Sequence, residues 1–226
     1  MKPSEEAEAL ATPGYWDERY AKSDGEHPTH EWFKSYDALE PFFQKHLFDS
    51  RASPDKNPRI LHLGSGDSTI PHDLAVRGYN NQLCVDFSTV VVELMSARHG
   101  QDKGIEWRWA DVRDMKDIPD GSVDVAFDKG TLDAMIFGSP WDPPDTVKEN
   151  TARYINEVFR VLKPDGVFLY ITFRQPHFVK PILNRDAIWH LDMEYLSDDK
   201  SSFDYHAFIL KKQKQDVNAD TVEGTQ

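Results

Sequence analysis

The segment Arg59-Ile60-Leu61-His62-Leu63-Gly64-Ser65-Gly66-Asp67-Ser68 constrains the fold more than any other part of the chain. An apolar run ends in two glycines one residue apart, and a helical pattern near Ile70–Arg77 follows. This reads as a strand, a tight turn and a helix, the opening unit of a parallel α/β sheet. The next apolar run, Gln82–Phe87, carries Asp86 near its end. That acid lies some twenty residues past the glycines, the spacing at which a carboxylate reaches the ribose of a nucleoside ligand.

The alternation continues beyond this unit. Val90–His99 reads as a helix, and Ile105–Ala110 and Val123–Asp128 as strands. Thr151–Leu162 has helical spacing, with Tyr154, Ile155, Val158, Phe159 and Leu162 on one face. Lys163-Pro164-Asp165-Gly166 stops that helix, and Val167–Phe173 is an apolar strand. Ile188–Leu196 and Tyr205–Lys211 then follow each other as strands across a short polar link, so they should pair as an antiparallel hairpin. The expected fold is a Rossmann-like seven-strand sheet, mostly parallel, with that C-terminal hairpin and helices on both faces. One domain should span residues 13–212, with residues 13–50 as an N-terminal lid and helix segment. The tails 1–12 and 213–226, charged and aperiodic, are expected to be disordered.

The glycine pattern bears on the ligand. A dinucleotide turn carries a third glycine so that the helix N-terminus can meet a pyrophosphate. Here Asp67, Ser68 and Thr69 follow Gly66, no further glycine comes before Gly78, and an acid beside the turn repels phosphate. A ligand with a ribose and no phosphate fits better, and S-adenosylmethionine is one.

Composition narrows the field further. Of 226 residues, 26 are Lys or Arg and 39 are Asp or Glu, a net charge of −13, which disfavours nucleic acid and suits a basic protein partner. Cys84 is the only cysteine, so an internal disulfide or a cysteine-rich zinc site is impossible, and no metal is expected. No apolar run reaches membrane-spanning length, and Met1-Lys2-Pro3-Ser4-Glu5-Glu6 lacks an apolar signal core. A soluble, cytoplasmic protein is the expectation.

From Gly14 to Lys212 the chain resembles the class I S-adenosylmethionine-dependent methyltransferases. The chain carries Tyr15-Trp16-Asp17-Glu18-Arg19-Tyr20 and Lys129-Gly130-Thr131-Leu132-Asp133-Ala134, with Glu31-Trp32-Phe33, Val85-Asp86-Phe87-Ser88, Ala97-Arg98-His99 and Pro176-His177-Phe178 in order between and after them. On these motifs it is similar, within that superfamily, to eukaryotic protein-lysine methyltransferases that modify translation elongation factor 1-alpha. His62 stands where the superfamily often has an acid, which this subgroup commonly lacks. No N/D-P-P-Y/F motif follows the fourth strand, which lowers the odds of a methyltransferase for amide or base nitrogens. Pro143-Pro144 lies in the following loop instead.

The resemblance implies S-adenosyl-L-methionine as cofactor, S-adenosyl-L-homocysteine as product and a basic protein substrate, elongation factor 1-alpha. It assigns roles residue by residue. Gly64 and Gly66 let the backbone approach the methionine moiety, or form a plain tight turn. Asp86 accepts from the ribose hydroxyls, or is a solvated strand end. Phe87 packs on the adenine, or is ordinary core. Asp111 accepts from the adenine amine while the Val112 N–H reaches a ring nitrogen, or Asp111 caps a helix. Lys129 contacts the cofactor through its backbone, or is a surface lysine. Trp16, Tyr20 and Trp32 fold over the cofactor, or are core packing. Asp128 and Asp133 are candidates to orient an attacking amine, against capping for Asp128 and a helix surface for Asp133. A lysine nucleophile must shed its proton, and a sulfonium in a dry channel favours that without a dedicated base. A small-molecule methyltransferase, a non-catalytic methyltransferase-like module and a nicotinamide dehydrogenase are the competing readings. The last is opposed by the missing third glycine and the terminal hairpin.

Overall fold

The computed structural model describes residues 3–23, 30–99, 104–196 and 204–213. In chain order the helices α1 (Pro3–Ala9), α2 (Pro13–Tyr20) and α3 (Tyr36–Phe43, running on through a π turn at Gln44–Phe48) precede the sheet. Then come β1 (Ile60–Leu63), α4 (Ile70–Val76), β2 (Gln82–Asp86), α5 (Thr89–His99), β3 (Ile105–Trp109), β4 (Val123–Lys129) and α6 (Thr131–Met135). The chain continues as α7 (Asp145–Val161), β5 (Leu162–Thr172), α8 (Pro176–Leu183), β6 (Trp189–Leu196) and β7 (Tyr205–Lys212).

The strands form one seven-stranded sheet in the order β3-β2-β1-β4-β5-β7-β6. β1 to β5 pair in parallel, and β7 lies antiparallel between β5 and β6. This is the expected fold. Alternate side chains of β1 serve two cores. Leu61 and Leu63 pack with residues of α6, α7 and α8 on one face, and Ile60 with residues of α3 and α4 on the other. Such two-sided cover is why these strands read as unbroken apolar runs. α5 packs on β3 and α2, with Val91 and Met95 meeting Tyr20. Cys84 of β2 is fully buried, and burial pushes its thiol pKa well up.

The topology fixes where a ligand can sit. From β1 the chain steps outward to β3, then returns to β4 on the other side of β1. Loops leaving the carboxyl ends of β1 and β4 therefore diverge and open a crevice.

Local differences from the sequence reading have physical causes. α7 begins at Asp145 rather than Thr151, and its first two turns, polar apart from Val147, hide the apolar period. α6 and α8 are short, five and eight residues, and the alternation pattern gave no signal for them. Lys163–Gly166 lies within β5 as a break in register, since Val123 faces Leu162 while Val125 faces Val167. The first twelve residues are not structureless throughout, as α1 occupies Pro3–Ala9. Glu5 and Glu6 in its first turn favour the helix dipole, and alanine and glutamate are strong helix formers. The C-terminal tail from 214 onward and the hairpin link 197–203 lie outside the described residues.

Candidate functional site

A cavity of about 290 Å³ opens at the crevice between β1 and β4. Trp16, Tyr20, Trp32, Gly64, Gly66, Asp86, Phe87, Asp111, Val112, Lys129 and Asp133 all line it; Asp128 does not. Residues spread over more than half the chain are thus brought to one wall-to-wall site.

The glycine turn needs its glycines. Gly64 and Gly66 have φ of 58° and 52°, where a side chain is strained. A Cβ on Gly64 would run into the Thr131 side chain, and one on Gly66 would lie 2.6 Å from the Tyr20 hydroxyl. Thr131 explains the crowding, because its hydroxyl donates to the Leu63 carbonyl at 2.7 Å and clamps the turn to the start of α6.

Asp86 is buried. Its Oδ2 accepts the Gly66 N–H at 3.0 Å and its Oδ1 the Ser88 N–H at 2.9 Å. Burial pushes its pKa up to about 6, with the Ser88 and Gly66 N–H groups opposing. A carboxylate has about four acceptor positions, so each oxygen can still take a hydroxyl donor. Ser88 donates from its hydroxyl to Asp17 at 2.5 Å, which ties α2 to the end of β2.

The start of α4 offers no phosphate site. The Thr69 N–H donates to Glu31 at 3.1 Å, the Ile70 N–H to the Ser68 hydroxyl at 3.3 Å, and Pro71 has no N–H. Asp67 is buried on the cavity wall beside these groups. A pyrophosphate would find its donors already taken and an acid in place. The buried strand-end acid and glycine cradle fit S-adenosylmethionine, and the occupied helix end does not fit a dinucleotide. Among the described residues no three His, Cys, Asp or Glu side chains converge as a metal-binding set. No described helix is long and apolar enough to cross a membrane.

Lys129 is not a surface residue. Its side chain is 6% exposed and pairs with Glu31, while its ammonium also donates to the Trp32 carbonyl at 2.7 Å. Burial lowers its pKa, and the Glu31 charge opposes. Glu31 also accepts from the Ser68 hydroxyl at 2.9 Å, so one buried pair joins β4, the glycine turn and the 31–34 segment. The sequence reading quoted Glu31 within a motif but gave it no role. Its partner is distant in the chain, and only the fold brings the two charges together.

The aromatic residues form a stack over the glycine turn. Trp16 lies 5.8 Å from Tyr20 and 5.7 Å from Trp32 between ring centres, and its indole N–H donates to the Leu10 carbonyl at 2.8 Å. Ala7, Leu10 and Ala11 extend this cover along the cavity. Phe33 next to Trp32 has φ of 62°, and the Lys34 N–H donates to the Trp32 carbonyl at 2.7 Å. This is a γ-turn with a positive φ, a conformation costing on the order of 1–3 kcal/mol for a non-glycine residue.

At the β3 end Asp111 is engaged by Arg113, whose backbone N–H donates at 2.9 Å and whose guanidinium donates at 2.7 to 3.1 Å. Burial works against the Asp111 charge, but these Arg113 bonds hold its pKa below the usual value. Arg113 lines the cavity too and was not anticipated.

The two acids near β4 differ in placement. Asp128 accepts the Thr131 and Leu132 N–H groups at 2.8 and 3.0 Å and the Tyr154 hydroxyl at 2.6 Å, so it caps α6 from beneath the cavity wall. Burial pushes it up to about 7 despite the Tyr154 hydroxyl. Asp133 is buried rather than on a helix surface, and it does line the cavity. Its oxygens accept the Tyr170 and Thr172 hydroxyls at 2.6 Å each, and the Arg174 Nε lies 3.4 Å away. Burial pushes its pKa up to about 6, with Thr172 and Tyr170 opposing. His62, in the position where an acid is common, is buried and held near a pKa of about 4 by desolvation, with the Gln82 bond opposing. Gln82 gives its amide hydrogens to the Pro71 and Tyr79 carbonyls, so its oxygen faces His62 Nε2, which carries the hydrogen.

A seven-stranded sheet of this order, with a glycine cradle and a strand-end acid at the switch point, defines an S-adenosylmethionine-dependent methyltransferase. The chain belongs to the methyltransferase domain family Methyltransf_31, whose pattern matches residues 54–218. It is 34% identical over 201 residues to the EEF1A lysine methyltransferase 4 of Mus musculus, covering 88% of this chain and 74% of that one. The protein of the same name from Bos taurus is 31% identical over 217 residues, with 94% and 80% covered. Among solved structures, the Burkholderia thailandensis 1,6-didemethyltoxoflavin-N1-methyltransferase with S-adenosylhomocysteine shares the fold, with a TM-score of 0.61 at 13% identity and coverage of 95% and 92%.

Proposed function

We propose that this methyltransferase transfers a methyl group to the side-chain nitrogen of a lysine in translation elongation factor 1-alpha. The observation that carries the reading is the buried Asp133 carboxylate on the wall of the same cavity as the glycine turn and Asp86. It gives one end to the donor and puts an N–H acceptor near the other. The names of the relatives, EEF1A lysine methyltransferases, support the choice of substrate.

When bound, S-adenosylmethionine supplies a sulfonium methyl group, which a neutral amine takes with its lone pair while the carbon–sulfur electrons return to sulfur and the surplus proton leaves to water. The chain aligns and dehydrates the two partners. Asp86 accepts from the ribose hydroxyls, and Phe87 packs on the adenine. The Val112 N–H reaches a ring nitrogen, and Asp111 accepts from the adenine amine while sharing its charge with Arg113. The Gly64–Gly66 turn and the Lys129 backbone line the methionine arm. Trp16, Tyr20 and Trp32 exclude water. Asp133 accepts an N–H of the amine and orients its lone pair; Asp128 supports that geometry by capping α6. The domain spans 13–212, with 13–50 as its cover, and the protein works in the cytoplasm, where its substrate is.

The test is incubation with purified elongation factor 1-alpha and methyl-labelled donor, followed by mass spectrometry. We expect label on one lysine, lost when that lysine is changed to arginine. Transfer to a small metabolite, with no labelled protein in a cell extract, would overturn the assignment in favour of a small-molecule enzyme.

A further inference from the structure

Phe33 is costly to place and only partly buried, packed at the edge of one core cluster. Its backbone is held at φ of 62° by the Lys34 N–H, which donates to the Trp32 carbonyl at 2.7 Å. The buried Lys129 ammonium donates to the same carbonyl at 2.7 Å. The turn after β4 makes room for the ring: a Cβ on Gly130, at φ of 102°, would lie 3.2 Å from it. Two backbone devices almost a hundred residues apart in the chain thus seat one phenyl group on the cavity wall.

The ring meets Phe173 edge to face, 5.5 Å between centres, and is backed by Tyr205 at 5.7 Å. Phe173 is 46% exposed, and it also lines the cavity. The residue before it, Thr172, donates its hydroxyl to Asp133 at 2.6 Å. An aromatic pair, one ring partly buried and the other exposed, therefore lines the same cavity as the buried Asp133 carboxylate. Arg174 completes the arrangement. Its guanidinium lies 5.4 Å from the Phe173 ring centre and donates to the Asp133 and Ile136 carbonyls at 3.1 and 2.5 Å.

We propose that Phe33 and Phe173 are the walls of an acceptor passage that admits an unbranched alkylamine chain and delivers its nitrogen to Asp133. The inference rests on the lysine reading above and adds the groups that select the acceptor. Methylenes pack against the two rings, and the ring faces attract the ammonium at the rim. At the inner end the Asp133 carboxylate favours an ammonium and the Arg174 guanidinium beside it opposes one, so the amine sheds its proton more readily there than beside a lone carboxylate. The Tyr170 and Thr172 hydroxyls each take one position on Asp133 and leave others for an N–H.

The passage is tested by a probe that is not the substrate. n-Pentylamine is titrated into the protein saturated with S-adenosylhomocysteine, and its contact is read by saturation-transfer NMR. We expect binding to the wild type and a loss of about tenfold in Phe33→Ala and in Phe173→Ala. Affinity for S-adenosylhomocysteine should stay within about threefold in both, since neither ring is assigned to the donor. Phe33→Leu and Phe173→Leu keep apolar bulk and should also weaken the amine, which separates loss of the ring face from misfolding. Equal amine binding by wild type and all variants would overturn the proposal, as would a parallel loss of S-adenosylhomocysteine affinity. If the wild type binds pentylamine as expected but methylates no lysine of the elongation factor, the passage stands and the substrate reading falls.

Discussion

A buried carboxylate proposed to hold a ligand in its charged form leaves a mark on pH dependence, and Asp86 is that residue here. Its pKa is pushed up to about 6 by burial. In the ligand-free protein the native state therefore holds this proton more tightly than the unfolded chain. Its contribution to stability is present below the ordinary aspartate value near 4 and is lost as pH rises through about 6. Ligand binding has the opposite preference, because ribose hydroxyls donate to the ionised form. We expect S-adenosylhomocysteine affinity measured by calorimetry to be flat above pH 7 and to fall by up to about tenfold per unit below 6, with proton release on binding at the lower pH. Asp86→Ala should remove this slope and weaken binding by roughly 1–3 kcal/mol. A steep slope persisting in that variant would assign the titration elsewhere. Residues such as Asp86 were legible in the sequence because their spacing from the glycines is local. Glu31, Arg113 and Arg174 were not, since each acquires meaning only from a partner or a cavity that the fold supplies. Asp128 and Asp133 show the same limit from the other side. Five residues apart, one just before the Lys129–Ala134 motif and one within it, they end up beneath the wall and on it.

At the level of elements, central strands such as β1 and β2 were legible because they are buried on both faces and read as apolar runs, whereas the edge strands β3 and β6 are only partly covered. Short helices such as α6 and α8 carry too few turns for a period to emerge. α1 was hidden by its charge, though its composition favours a helix. Its position has a consequence for ligand exchange. Ala7, Leu10 and Ala11 line the cavity, and Leu10 anchors the Trp16 indole at 2.8 Å. Removing residues 1–12 would uncover one side of the cavity and strand that indole N–H. We expect the shortened protein to fold but to release S-adenosylhomocysteine roughly tenfold faster, with most of the change in the off-rate. Stopped-flow tryptophan fluorescence would measure it, and an unchanged off-rate would show that α1 covers nothing the ligand touches.

Across the whole molecule, a mostly parallel seven-strand sheet ending in a hairpin followed from alternation and the two adjacent C-terminal strand patterns, whereas the order of the strands came only from the fold. The net charge of −13 is a property of the same scale. An acidic enzyme meeting a basic protein is steered by long-range attraction, which salt screens within about 10 Å at 0.1 M. We expect kcat/KM for elongation factor 1-alpha to fall several-fold between about 50 and 300 mM salt, with kcat nearly constant. A rate indifferent to salt would leave the negative charge a matter of solubility alone.

The lone thiol gives the molecule a built-in clock. Cys84 sits in β2, where its neighbours in register are His62 of β1 and Trp107 of β3, and no solvent reaches it. A thiol reagent can therefore modify it only when the sheet itself parts between these strands. The carboxyl end of that same strand holds Asp86. Labelling kinetics at Cys84 thus count openings of the strand that carries Asp86 to the cavity wall. Slowing of that labelling by S-adenosylhomocysteine reads the coupling between ligand and fold directly, through one side chain and without any added probe.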